Sequence, residues 1–441
     1  MTVTAAVLAE ICSALPLSGS IYIWAAEAAG GHSRLIGYVV AWWACTAWMT
    51  FCASVCQNAA NHLLSVLVVY GVDFPGGLTN DSVKFRAVTW AVAEIFFFIC
   101  ISLNYLPQRY YAWIFKGSMC LMLVDTLLNL IWLPIGVSRT YGFRSASEVF
   151  TSQYNGTGAP AGWNWMLCFL FGASAVTGFD ASGHIAEETK NASVKAARGI
   201  LTSAFASGGC AFFTSILFLF CLPDLDTWST FTSPQPFVQV YDLALGRAGC
   251  IIMTTIAVIG LLLNCSIAIV AASRLVFAVA RDGVLPFSSY VGKVTPDGRP
   301  AHAVNVMLVF GAALLCTILP STVAFTSLVS AGGIPTIAAY ALISFCRLVF
   351  TPNSFKTSKF GLGPFARPFY IITFLWNCFI FAVNISPFYF PVESAAGFNY
   401  SIVIFVAVTF FGVLCWRFTK PETWLRRDLL STMHEETDRV R

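Results

Sequence analysis

Ten long apolar stretches constrain this 441-residue chain more than any other feature of its sequence. Each has about 17 or more mostly apolar residues, the length that an α-helix needs to cross a hydrocarbon core of about 30 Å. With 57% hydrophobic and only 10% charged residues, the chain cannot be a water-soluble globular protein. We therefore predict an all-α, polytopic membrane protein. The ten stretches are Leu35–Val72, Ala87–Leu106, Tyr110–Val137, Asn164–Ser182, Ile200–Leu222, Gly249–Ser273, Ala303–Leu319, Thr322–Cys346, Phe369–Phe390 and Phe398–Trp416.

A shorter apolar segment comes before these stretches. Residues 1–15 carry Glu10 and end at Pro16, and they are too few to cross the bilayer as a helix. We interpret them as the remnant of a span, within a single transmembrane domain of residues 1–416. Most of the 25 Lys and Arg residues fall on one side if the loop Gly30–Arg34 is cytoplasmic and the spans alternate. Because cytoplasmic loops are enriched in these residues, the tail of residues 417–441 is predicted to be cytoplasmic.

The stretch that begins near Trp163 is interrupted halfway. Its apolar run breaks at Thr177, Gly178, Phe179 and Asp180, and the sequence beyond is amphipathic. In hydrocarbon, a broken helix survives only where its free backbone groups are buried in protein or line a polar cavity. Many secondary transporters build their solute sites from such discontinuous helices. These four residues are therefore the predicted solute site, to which Thr177 offers a hydroxyl and Phe179 an aromatic wall.

Asp180 has two possible roles at this break. Gly178 relaxes the backbone, and the Asp180 side chain can cap the N-terminus of the helix that follows. Alternatively, its carboxylate contacts a solute ammonium or a coupling proton, because acids inside spans are commonly functional. The sequence leaves both roles open.

A charged segment follows the break. Glu187, Glu188 and Lys190 punctuate a predicted helix that leads into the next span on the cytoplasmic side. They are either the solvated end of that helix or an inner gate, in which charged pairs form and break as the helix moves.

Glu94 and Lys116 are a second candidate pair, because charged groups inside spans need partners. They lie at similar depths, on either side of the short turn Asn104–Gln108, in helices predicted to be antiparallel. One hypothesis is that Glu94 and Lys116 form an ion pair with a role in proton coupling. The other is that each of them has a different partner.

Two further patterns are less specific. The segment Ser330–Pro335 contains two glycines and a proline in the middle of a span, which predicts either a kink or an opened helix. The 15 cysteines lie mostly within spans and lack paired C-x-x-C spacing, so we predict small hydrophobic side chains rather than a disulfide framework or a metal site.

Three motifs resemble those of amino acid/polyamine/organocation permeases, in the fungal branch of GABA, choline and polyamine permeases. They are AEICSALPLSGSIYIW at Ala9–Trp24, GFDASGHIAEETKNAS at Gly178–Ser193 followed by ARGI at Ala197–Ile200, and ASRLVFAVARDGVLP at Ala272–Pro286. Their spacing extends the resemblance over nearly the whole chain.

The resemblance implies a LeuT-like fold of two inverted five-helix repeats plus two further helices, with helices 1 and 6 broken at the solute site. On this mapping the Trp163 span is helix 6, residues 1–15 are the end of helix 2, and helix 1 with part of helix 2 is missing before Met1. Lys116 falls on helix 5, where some bacterial relatives place a lysine that replaces a sodium ion. Lys116 is displaced from that position by about two residues, and the lysine of those relatives implies proton coupling.

The resulting prediction is a secondary active transporter that moves amino acids or related amines across a membrane by alternating access, with a coupling proton. The membrane is either the plasma membrane or the vacuolar membrane. The alternative is a truncated, non-transporting paralogue or a solute sensor. An enzyme is the poorest match, because the five histidines show no metal or nucleophile spacing. We predict no cofactor and no nucleic-acid partner.

Overall fold

The computed structural model describes residues 1–296, 298–355, 357–394 and 397–419, and every regular element in these ranges is helical. Ten helical segments are long and apolar enough to span a membrane, which confirms the predicted class. Residues 420–441, most of the predicted tail, lie outside the described residues. The α-helices are α1 (Thr2–Ala14), α2 (Ile21–Ala28), α3 (Ser33–Val69), α4 (Val83–Leu103), α5 (Tyr111–Arg139), α6 (Ala146–Thr151), α7 (Ala161–Leu167), α8 (Phe169–Val176), α9 (Ala181–His184), α10 (Ala192–Cys221), α11 (Leu225–Ser229), α12 (Phe237–Arg281), α13 (Ser288–Val291), α14 (Ala301–Leu315), α15 (Thr322–Val349), α16 (Ala366–Asn384) and α17 (Ser401–Phe418).

Helix α3 is the centre of the bundle. Its most apolar window is 72% buried and it packs against α12, α15, α2 and α4, whereas the corresponding windows of α10 and α17 are only 11% buried. A helix that is apolar on all sides but exposed in the isolated chain is suited to contact lipid. Most residues of this window therefore face protein, and this helix is suited to form a wall of a solute site.

The short helix α1 is nearly all buried and packs against α10 and α16. Glu10, 5% exposed, accepts hydrogen bonds from Tyr370 Oη at 2.8 Å and from the Leu362 backbone N–H at 2.9 Å. The acid that interrupts the first apolar segment is thus satisfied by two donors. A linker of residues 15–20 then leads to α2 and places Ser18 and Ser20 beside the broken span.

The span that begins at Ala161 is broken where the sequence predicts. Helix α8 ends at Val176, Thr177 is extended at φ −62° and ψ 141°, and α9 starts at Ala181. Gly178 has φ +107°, a left-handed conformation that L-residues rarely adopt, so the break depends on glycine at this position. Beyond it, the predicted continuous amphipathic helix is wrong, because α9 ends at His184 and a 3₁₀ turn at Ala186–Glu188 precedes α10.

Helix α15 does not open at Ser330–Pro335. It runs unbroken from Thr322 to Val349 with Pro335 inside it. A Cβ on Gly332 would lie 3.0 Å from Thr50, so this glycine allows α15 to approach α3 closely. The segment therefore serves close helix packing. A further irregularity lies in α12, where Gly246 at φ 69° separates a short N-terminal piece from the long span.

Candidate functional site

A cavity of about 350 Å³ lies beside the break in the span Ala161–His184. This volume is within the range of roughly 300–1,000 Å³ typical of small-molecule pockets. The walls come from α3, the broken span, α15 and α16, and they are mostly apolar with a few polar groups. Its polar and aromatic lining includes Trp48, Phe51, Ser54, Ser174, Thr177, Asp180, Ser330, Thr336 and Asn384.

Asp180 is the charged group of this cavity. Its side chain is 0% exposed to bulk solvent. Oδ1 accepts a hydrogen bond from Tyr340 Oη at 2.5 Å, and Oδ2 accepts one from Trp48 Nε1 at 3.3 Å. His184 Nε2 lies 3.2 Å from Oδ2. Both carboxylate oxygens therefore have partners within the protein.

The predicted capping role of Asp180 is wrong for its side chain. Asp180 occupies the residue before α9, but its carboxylate makes no capping hydrogen bond there. The reason is competition, because Trp48 from α3 and Tyr340 from α15 draw the carboxylate away from the backbone of its own helix. Asp180 thus links three separate segments at the cavity.

His184 extends this network toward the linker after α1. Its side chain is 0% exposed, and Nδ1 lies 2.6 Å from Ser20 Oγ. The ring also meets Trp48 edge-on at a centroid distance of 5.2 Å. A Cβ on Gly183 would lie 2.9 Å from the Ser20 Cβ, so glycine is what lets α9 approach the linker. Ser20, His184 and Asp180 form a continuous polar connection.

Of the other predicted residues of the break, two line the cavity and one packs against a tyrosine beside it. Thr177 and Gly178 line the cavity, and the Thr177 hydroxyl donates to the Ala173 carbonyl at 2.8 Å. Phe179 is 4% exposed and stacks on Tyr340 at 5.4 Å and 16°. It therefore supports the tyrosine that binds Asp180 and is absent from the described cavity lining.

Several residues of the site could not be predicted from the sequence. Trp48, Phe51 and Tyr340 lie in apolar spans where aromatic residues are ordinary core, and His184 resembles part of an amphipathic helix. The glycines at 332–333 were a local signal on α15, but they predicted a kink or an opened helix, whereas the structure uses Gly332 for close packing.

A second network closes one end of the broken span, and Glu187 is its centre. Glu187 pairs with Arg281 through two contacts, Oε2 to Nη1 at 3.2 Å and Oε1 to Nη2 at 3.3 Å. It also accepts from the Ser18 backbone N–H at 3.0 Å. The linker after α1, the 3₁₀ turn after α9 and the end of α12 are thereby joined.

Two further contacts strengthen this closure. Arg274 Nε of α12, whose side chain is 7% exposed, donates to Glu188 Oε1 at 3.0 Å. Tyr22 Oη of α2 donates to Asp282 Oδ2 at 2.7 Å. Lys190 is exposed, and the ion pairs of the described residues do not include it. Glu187 and Glu188, two of the three predicted gate residues, thus belong to this network, and Lys190 lies outside it.

Opening of this gate is testable. Arg281→Gln should increase the cytoplasmic accessibility of the cavity about fivefold, because a partly exposed pair contributes up to about 1 kcal/mol to the closed state. The measurement is the rate at which an impermeant maleimide labels Ser174→Cys, a cavity residue, in inside-out vesicles. Lys190→Gln is the control, since it removes a neighbouring positive charge without breaking the pair. Equal labelling rates for Arg281→Gln and Lys190→Gln would argue against a gate.

The structure does not bring Glu94 and Lys116 together. Glu94 Oε1 accepts from Trp90 Nε1 at 3.2 Å, and Lys116 Nζ lies 5.7 Å from the centroid of the Trp113 ring. The reason is that α4 packs mainly on α3 and α14, whereas α5 packs mainly on α12. Among the ion pairs of the described residues, none joins the two. The predicted pair is therefore wrong, and each group has a neighbouring indole instead.

A helical bundle with a broken span beside a solute-sized cavity and a charged closure defines a membrane transporter rather than an enzyme. The sequence model described as "Amino acid permease" matches residues 1–421. The chain belongs to the amino acid permease family, which confirms the predicted superfamily.

Three similar proteins illustrate the range of this family and fold. The thiamine transporter thi9 of Schizosaccharomyces pombe is 47% identical over 450 residues, covering 96% of this chain and 76% of the relative. The amino-acid permease BAT1 of Arabidopsis thaliana is 26% identical, covering 93% and 81%. The manganese transporter of Eremococcus coleocola, a solved structure, shares the fold with a TM-score of 0.56 at 14% identity, covering 95% and 85%. The predicted LeuT-like fold is confirmed.

Proposed function

We propose that this permease carries an organic cation across the membrane, with thiamine as the first candidate, and that the cavity beside Asp180 is where the cation binds. One observation carries the proposal: a buried carboxylate with aromatic neighbours lies at the break of the span. The 47% identity to a thiamine transporter supports this substrate class over the zwitterionic amino acids that the sequence alone favoured.

The chemistry of thiamine matches the walls of the cavity. Its thiazolium ring carries a fixed positive charge, which Asp180 can neutralise and the faces of Trp48 or Phe51 can contact by cation–π interaction. Its aminopyrimidine ring can exchange hydrogen bonds with the hydroxyl of Thr336 and the amide of Asn384. A cation in a site of low polarity is stabilised mainly by one nearby opposite charge, and the cavity offers that charge.

An amino acid is matched less well by the same walls. A zwitterion brings a carboxylate that needs a positive or N–H partner. Among the described residues that line the cavity, none is Lys or Arg. Polyamines and choline are cations without a carboxylate, and they remain competitors in the experiment below, whereas GABA is a zwitterion like the amino acids.

We also propose that transport is coupled to protons through the pair Asp180–His184. The two side chains are buried and 3.2 Å apart, so a proton can be held between them, and Ser20 Oγ provides the next polar atom 2.6 Å from the other ring nitrogen. Histidine is the side chain whose charge changes most readily between about pH 5 and 8. In this proposal the network of Glu187 and Arg281 is the cytoplasmic gate, on the side where most Lys and Arg residues lie.

Uptake of labelled solutes tests the proposed function. Cells that lack their own thiamine uptake should accumulate thiamine when they express this chain, and a tenfold excess of unlabelled thiamine should compete more strongly than GABA, choline, a polyamine or any amino acid tested. Stronger competition by an amino acid would contradict the cation assignment. Saturable thiamine binding without uptake would identify the alternative, a solute sensor.

A further inference from the structure

Three cysteines from distant parts of the chain meet within the membrane-spanning bundle. Cys56 of α3, Cys100 of α4 and Cys265 of α12 are each 0% exposed. Their sulfur atoms all lie within 4.8 Å of one another, and the Sγ atoms of Cys56 and Cys265 are 3.5 Å apart. We propose that this three-cysteine cluster binds one soft metal ion, Cu(I), and so ties the three helices together.

The spacing of the sulfur atoms fits a metal ion. A metal about 2.3 Å from each of three sulfurs in a trigonal plane would place the sulfurs about 4 Å apart. One observed separation is 3.5 Å and none exceeds 4.8 Å, so small side-chain adjustments bring all three sulfurs into range. The thiols now donate elsewhere, Cys100 Sγ to the Leu262 carbonyl and Cys265 Sγ to the Cys52 carbonyl, both at 3.3 Å.

The donor set selects the ion. Sulfur ligands favour soft ions such as Cu(I), whereas Mg²⁺, Ca²⁺ and Mn²⁺ prefer oxygen. Structural Zn²⁺ sites are almost always four-coordinate, and the cluster among the described residues has three ligand atoms. A three-coordinate, all-sulfur site is therefore better suited to Cu(I) than to Zn²⁺.

Binding of the ion releases protons. Cysteine ligates metals as the thiolate, so each thiol that ligates Cu⁺ loses its proton to solvent, and the positive charge of copper offsets one of the resulting negative charges.

The cluster is separate from the solute cavity. Ser54 of α3 lines the cavity, and because successive residues of a helix are about 100° apart, Cys56 two residues later lies on the opposite face of α3. None of the three cysteines belongs to the described lining of the cavity. A bound ion would therefore stiffen the packing of α3 against α4 and α12 while leaving the cavity open. We predicted no metal site from the sequence, because the three cysteines of the cluster lie in three different spans.

Copper titration of the purified protein tests the site. Exposed cysteines must first be removed, and a background chain carries serine at Cys120, Cys168, Cys210, Cys316 and Cys378. Under anaerobic, reducing conditions this chain should withdraw one Cu(I) per molecule from a Cu(I)–bicinchoninate complex. Adding Cys56→Ser, Cys100→Ser or Cys265→Ser should lower copper retention at least tenfold, whereas Cys346→Ser, at a buried cysteine outside the cluster, should leave it unchanged.

Spectroscopy provides a readout that needs no cluster variant. X-ray absorption of the copper-loaded background chain should show three sulfur neighbours at about 2.3 Å. Copper retention as high in all three cluster variants as in the background chain would overturn the proposal. A copper ion surrounded by nitrogen or oxygen ligands would also overturn it. If a serine variant fails to elute as a monodisperse protein, the alanine variant at the same position replaces it.

Discussion

Asp180→Asn is expected to reduce thiamine uptake at least a hundredfold. The substitution keeps the size of the side chain but removes the negative charge of Asp180, which is the proposed binding partner of the cation. Loss of one member of a buried ion pair typically costs about 3 kcal/mol or more, and each 1.4 kcal/mol is a factor of about ten in affinity. Initial uptake rates at low thiamine concentration, corrected for the amount of protein at the membrane, are the measurement.

Asp125→Asn is the matched control for this variant. It makes the same substitution in another span, α5, where Asp125 Oδ1 accepts from Asn129 Nδ2 at 3.3 Å. The asparagine side chain still offers an oxygen acceptor, and Asp125 is outside the described cavity lining. Uptake by Asp125→Asn should remain within about twofold of the unmodified chain, as expected of substitutions away from special features. A similar loss in both variants would mean that the effect is general rather than specific to the cavity.

His184→Gln is expected to remove the pH dependence of uptake. With the coupling proton carried by His184 while Asp180 keeps its negative charge, uptake by the unmodified chain should rise about tenfold as the external pH falls from about 7.5 to 5. Glutamine can still hydrogen-bond to Ser20 and Asp180 but cannot gain a proton in this range, so the rate should vary less than about twofold. Initial rates measured across external pH values provide the result.

The control for the histidine variant is His62→Gln. His62 lies on α3, and its Nδ1 lies 2.9 Å from the Asn58 carbonyl of its own helix. This change should leave the pH profile intact. An unchanged profile in His184→Gln, together with normal amounts of protein at the membrane, would exclude this histidine as the coupling group.

The spans and the break were predictable because each is encoded locally. A run of apolar residues long enough to cross the bilayer is visible in one stretch of sequence, and all ten runs correspond to spans. The break follows from Gly178 and Asp180 in an otherwise apolar run, and the structure places it there, between Val176 and Ala181. Local composition also revealed the acidic pair Glu187–Glu188 of the gate.

The site around the break could not be predicted because its members are distant in the chain. Trp48 is 132 residues from Asp180, and Tyr340 is 160 residues away, so their convergence depends on tertiary packing. The same packing determines whether Asp180 caps its helix or faces the cavity. The Glu94–Lys116 prediction failed for the converse reason, since similar depth in two consecutive spans does not make the helices neighbours.

The substrate was the least predictable feature. From the break alone, the sequence favours an amino acid, because broken helix ends can bind a zwitterion through backbone groups. The aromatic faces of Trp48 and Phe51 around a single carboxylate favour the cation, and they become visible only in the assembled cavity.

Equilibrium dialysis of labelled thiamine against the purified protein tests the central claim most directly, because binding is measured apart from transport and coupling. The account predicts one saturable site per chain, retained in Asp125→Asn and weakened at least a hundredfold in Asp180→Asn. Unchanged thiamine affinity in a correctly folded Asp180→Asn protein would contradict the assignment of this cavity as the cation site.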